Sequence, residues 1–135
     1  MGAEPWVFST PYQKNFEQAL QELRQQVFTK GNYYKSDTDA NPSSIEDLFM
    51  HYVDEEGTHS ILDIFKTSKK MGMGLTYPLT EDDLMGIFGT NKPTKEMLNN
   101  EQEIYNFIDR GESVYVISYN NDLPDKIFFF GYSFD

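Results

Sequence analysis

An α+β fold is expected for this chain, with about four helices packed on a small, mainly antiparallel sheet that includes a C-terminal β-hairpin. Three observations lead there. Apolar residues recur at helical spacing in segments opened by capping residues; the last third is dense in β-branched and aromatic residues around a turn-forming run; and no linker or repeat divides the 135 residues. A chain of this length is long enough for one continuous core and too short for two, so residues 1–135 form a single domain.

Thr10-Pro11 reads as the cap and first position of the first helix, whose buried stripe is Phe16, Leu20, Leu23 and Val27 and whose end is Lys30-Gly31. Asn41-Pro42 announces a second helix, with Ser43 and Glu46 at capping-box spacing and Ile45, Leu48, Phe49 and Tyr52 on its apolar face; Glu56-Gly57 ends it. Ile61 to Phe65, short and apolar between polar flanks, is expected to be a strand. Thr80 and Asp83 open a third helix with Leu84, Ile87 and Phe88 inward, closed by Gly89. A fourth begins at Pro93-Thr94 and places Met97, Ile104 and Ile108 on one face, with Asn99-Asn100 as a point of breakage and Gly111 as its end. Ser113 to Tyr119 and Lys126 to Phe134 are the hairpin strands, joined through residues 120–124. Both faces of these strands carry apolar residues, so helices must cover the sheet on both sides, at least in part.

Composition narrows the function classes. Eleven Phe, nine Tyr and one Trp point to an aromatic-rich core. With no cysteine there is no disulfide, thiolate metal site or thiol nucleophile, and a reducing compartment is the natural reading. Met1 to Tyr12 lacks a basic region followed by an apolar one, and no segment approaches the length of a membrane span, so a cytoplasmic location without membrane attachment is expected. A formal charge of −11 repels a phosphate backbone and argues against nucleic acid as a partner. Lys66, Lys69 and Lys70, with Lys30 and Lys35 upstream, read as solvated lysines.

No dinucleotide fingerprint, phosphate loop, nucleophile elbow or zinc-protease motif is present, and no cofactor is implied. The best concentration of reactive side chains is His51, Asp54, Glu55 and His59, followed by Asp63. Imidazole beside carboxylate suits metal binding or acid–base work, but the histidines are eight positions apart and nothing places them on one helix face. Asp63, within an apolar run, requires hydrogen-bond partners or a shifted pKa. Asp37 to Asn41 imitates the start of a calcium loop, yet Pro42 and Leu48 stand where the loop needs Gly and Glu. Met71 and Met73, interleaved with Gly72 and Gly74, suit an adaptable contact surface or the edge of the core.

Three function classes follow. The first is a non-catalytic acidic interaction module meeting a basic protein, in the manner of an immunity or antitoxin-like inhibitor. The second is a small hydrolase or metal-binding domain built on the His51/His59 carboxylate cluster. The third is a subunit that assembles through an exposed stripe of Phe128, Phe130, Tyr132 and Phe134.

Overall fold

The hairpin signal is the nucleus of the architecture. In the computed structural model, which describes residues 3–35, 37 and 39–134, the chain runs β1 (Pro5–Pro11), α1 (Phe16–Lys30), α2 (Ile45–His51), a 3-10 turn (Ile61–Asp63), β2 (Lys66–Thr67), β3 (Leu75–Pro78), α3 (Glu81–Phe88), α4 (Lys95–Asn99), a second 3-10 turn (Glu103–Phe107), β4 (Ser113–Asn120) and β5 (Leu123–Tyr132). The class is α+β. β4 and β5 pair antiparallel through a tight turn at Asn121 and Asp122, whose φ of 53° and 64° belong to the hairpin turn that Asn and Asp tolerate best among residues with a Cβ.

The sheet is mixed, so the mainly antiparallel expectation is met only in part: the long β1, β4 and β5 pair antiparallel, while the short β2 and β3 add parallel pairs. Its strand order is β1-β5-β4-β3-β2, with β1 and β4 antiparallel to β5, and β3 running parallel to both β4 and β2. The crossover from β3 to β4 makes parallel pairing possible, because residues 79–112 are long enough to return over the sheet as α3, α4 and the second turn.

Alternation along β4 and β5 builds two cores. Tyr115, Ile127 and Phe129 face one side, against Ala19, Leu20, Leu23 and Val27 of α1, Leu48 of α2, and Ile61, Leu62 and Ile64. Val114, Val116, Phe128 and Phe130 face the other, against Leu79, Leu84, Leu98, Ile104 and Ile108. The strands are therefore covered on both faces.

Three local expectations fail for physical reasons. Thr10 and Pro11 end β1 rather than opening a helix, pairing with Ile127 and Lys126, and Asn15 caps α1 instead, its side chain accepting from the Gln18 amide. Prolines at both ends of this edge strand leave it short of donors, which limits pairing with another chain. Ile61 to Phe65 is not a strand: Ile61, Leu62, Asp63 and Ile64 are all buried, so no period of two exists, and the strands form later as β2 and β3. The fourth helix breaks at Asn99-Asn100, the expected point of breakage, so the single face expected for Met97, Ile104 and Ile108 does not form. Met97 points to solvent, while Ile104 and Ile108 enter the core from separate segments.

Candidate interaction surface

A single stretch concentrates the negative charge of the chain. Between residues 36 and 65 there are eight Asp or Glu (37, 39, 46, 47, 54, 55, 56 and 63) and no Lys or Arg. This stretch contains α2 and the buried turn beneath it.

α2 opens at Ser44, one residue after the expected cap. The Ser44 hydroxyl accepts from the Asp47 amide, and Asp47 returns to the amide of Ser43, at 3.0 and 2.8 Å. Leu48 anchors the helix in the core. The chain then turns through Asp54-Glu55-Glu56, where Asp54 Oδ1 accepts from the Glu56 amide at 2.9 Å, and Gly57 reverses direction at φ 75°. At that place a side chain would collide: an added Cβ would lie 2.6 Å from the Phe134 ring and 2.8 Å from Asp63 Oδ2.

Below Gly57 lies a buried polar knot. The Thr58 amide and hydroxyl each donate to Asp63 Oδ1 at 2.8 Å, the hydroxyls of Thr58 and Ser60 share a bond of 2.8 Å, and the Ser60 oxygen accepts from the Leu62 amide. Burial pushes the Asp63 carboxyl above the usual carboxylate range, against the pull of Thr58 and the neighbouring His59 amide. Asp63 Oδ2 is buried without a hydrogen bond. Arg24, buried on α1, donates to the Leu62 carbonyl at 2.9 Å and lies over the Phe65 ring at 5.3 Å.

The surface above this knot is apolar at its centre. Phe49, Val53, Phe65 and Phe134 line a pocket of about 330 Å³ together with Asp54, Glu55 and Gly57. Phe65 is 48% exposed, and its ring meets Phe49 edge-on at 5.3 Å. The Met73 side chain and the Phe134 ring both crowd Gly111, 3.3 and 2.6 Å from where its Cβ would be. Met50 and Met71 are exposed as well.

The residues expected to form a site are divided by the structure. Asp54 and Glu55 line the pocket, and Asp63 lies under its floor. His51 is exposed at the end of α2, 4.0 Å from Asp47. His59, at φ 54°, lies 3.8 Å from Glu4 and stacks on Tyr34 at 5.0 Å. The two histidines thus engage different carboxylates, and among the described residues no group of three or more His, Asp or Glu is placed to hold a metal ion. Of the aromatic stripe, Phe128 and Phe130 are buried, which corrects the expectation of an exposed patch, whereas Phe134 contributes to the pocket. The calcium-like run includes Thr38, outside the described residues; within it Asp37 Oδ1 accepts the Asp39 amide at 3.0 Å, a turn interaction. Phe49, Val53 and Phe65 were not anticipated. The signal that would have found them is the absence of Lys and Arg from 36 to 65, combined with aromatic residues in the same stretch.

A larger open cleft, about 890 Å³, lies where α1 begins and β2 and β3 end, lined by Lys14, Phe16, Glu17, Thr67, Ser68, Lys69 and Tyr115 among others. Burial would raise the Glu17 carboxyl, but the Thr67 amide and hydroxyl, Gln21 and Arg24 outweigh it and leave it below the usual range. Glu17 thereby ties α1 to β2, its Oε1 accepting from the Thr67 amide and hydroxyl at 2.8 and 3.1 Å.

No helix is long and apolar enough to cross a membrane among the described residues. Comparison of the chain with protein-family models, curated proteins and solved structures returns no match.

Proposed function

We propose that the protein is a non-catalytic acidic interaction module that docks a basic protein, in the manner of an inhibitor or immunity protein. The observation that supports this reading is the conjunction of two properties: an aromatic and methionine group at Phe49, Phe65, Met73 and Phe134, of which Phe65 and Met73 are exposed, and the stretch from 36 to 65, which supplies Asp54 and Glu55 to the same pocket and holds eight Asp or Glu, only Asp63 of them buried, and no Lys or Arg. Apolar anchors supply affinity after desolvation, while like-signed rim charge steers a complementary partner and raises the association rate. The runner-up reading, a hydrolase or metal site on the histidine cluster, has less support, since His51 lies beside Asp47 and His59 beside Glu4.

Affinity capture from the source cell tests the proposal. The wild-type protein is compared with Phe65→Ser and with a triple variant Glu46→Gln, Asp54→Asn, Glu55→Gln, all at exposed positions. A basic protein retained by the wild type, released by 0.5 M salt and lost in both variants is the expected outcome. A captured protein that is acidic, or that binds all three forms equally, would refute the module as described.

A further inference from the structure

We infer that the pocket between Phe49, Phe65 and Phe134 receives an arginine side chain of the partner. The inference rests on the docking reading and names the group that the site recognises. Phe49, Phe65 and Phe134 line one space of about 330 Å³ together with Val53, and Asp54 and Glu55 belong to the same lining, the Asp54 Oδ1 atom accepting from the Glu56 amide. Aromatic faces and edges attract a cation when water is excluded, and the carboxylates at the same site supply its counter-charge.

A cation-bearing occupant with an apolar stem matches this lining better than a purely apolar one, because Asp54 and Glu55, exposed beside the rings, offer it counter-charge. Arginine fits better than lysine on two counts. Its planar guanidinium stacks on rings and can bond a carboxylate with two parallel N–H groups, and its aliphatic stem can lie along Val53. The protein already uses this pairing from the inside, where the Arg24 guanidinium sits 5.3 Å from the centre of the Phe65 ring. Beneath the pocket, Asp63 turns an unpaired, fully buried oxygen towards Gly57, a wall residue. Glycine at this wall keeps the Phe134 ring and the carboxylate close: a Cβ there would overlap both.

The test uses N-acetyl-arginine amide titrated into the isotopically labelled full chain, followed by backbone NMR. N-acetyl-citrulline amide, nearly the same shape without charge, and N-acetyl-lysine amide are the controls. The arginine probe is expected to shift the amides of Gly57, Phe65, Gly111 and Phe134, with citrulline weaker by roughly tenfold, since the charge-assisted and ring contacts are lost together. The Asp54→Asn, Glu55→Gln variant, at exposed positions that do not hold the core, should bring the arginine response down to that of citrulline. Phe65→Leu, which keeps the apolar bulk, should weaken arginine without changing citrulline. Equal responses to arginine and citrulline, or shifts confined to the Lys14 and Tyr115 cleft, would overturn the inference. A silent arginine probe beside retained, salt-sensitive capture of a basic partner overturns the pocket alone and leaves the module standing; loss of both removes both.

Discussion

Gly131→Ala is expected to be among the most damaging one-carbon changes in the molecule. Gly131 pairs with Trp6 across β1 and β5, and the indole lies over the bare backbone at that point. An added Cβ would stand 2.1, 2.5 and 2.6 Å from three atoms of the Trp6 ring, against the 3.4 Å at which ordinary contact begins. Since 3.4 minus 2.1 is 1.3, the rigid ring must retreat by more than 1 Å. It has little room to do so, being 7% exposed, packed on Phe8 at 5.7 Å, and carried by a backbone whose carbonyl accepts from the Tyr105 hydroxyl at 3.1 Å.

Overpacking of this kind costs about 1–3 kcal/mol, and contact with three atoms of a rigid ring places the value near about 3 kcal/mol. Urea denaturation followed by circular dichroism reads it as a lower midpoint with an unchanged slope. The decisive comparison is the double-mutant cycle with Trp6→Ala, a change that alone costs about 3–5 kcal/mol. Once the ring is gone the new methyl meets nothing large, so the two losses must fall short of additivity by at least about 1.5 kcal/mol. A single-variant loss below about 0.5 kcal/mol, within the range of an ordinary surface change, or additive losses in the cycle, would refute the reasoning.

Two further expectations concern stability. At Gly86, inside α3 and exposed, a Cβ would meet no atom within 4 Å, so Gly86→Ala should raise the unfolding free energy by about 0.5–1 kcal/mol; a loss in the same urea titration would contradict it. Asp63, whose carboxyl is raised by burial, binds its proton more tightly in the folded chain than in the unfolded one. Its contribution is therefore fully present below the ordinary aspartate pKa and is lost as pH rises through the raised folded value. Wild type should gain stability relative to Asp63→Asn as pH falls through that window, with a constant difference above it. Parallel pH profiles for the two proteins would exclude this linkage.

Local chemistry carried much of the fold. Lys30-Gly31, Thr80 with Asp83 and Gly89 bound α1 and α3 as their capping groups require, and the alternation of Val114 to Tyr119 placed β4 and β5 between two helical layers. The break at Asn99-Asn100 was legible for the same reason: two weak helix formers sit where the apolar pattern pauses.

Other features depend on residues far away in the chain. Thr10-Pro11 has a good helix-start signature, yet seven pairings with β5 make it the end of a strand, an arrangement that no local window contains. The mixed character of the sheet follows from which strands become neighbours after the chain crosses over, and short β2 and β3 have too few residues to declare a period. The acidic and aromatic parts of the candidate surface were each visible as composition. Their meeting was not, because Phe134 reaches Gly57 and Asp63 from the opposite end of the sequence, and Phe65 turns outward only because the run before it winds into a buried 3-10 turn instead of extending. The sequence thus determined the class, the helix caps, the hairpin and the sign of the charge, which are all properties of neighbouring residues. Long-range packing alone decided strand order, the burial of Phe128 and Phe130, the separate partners of His51 and His59, and the pocket itself, since each depends on contacts between segments that the chain brings together only on folding.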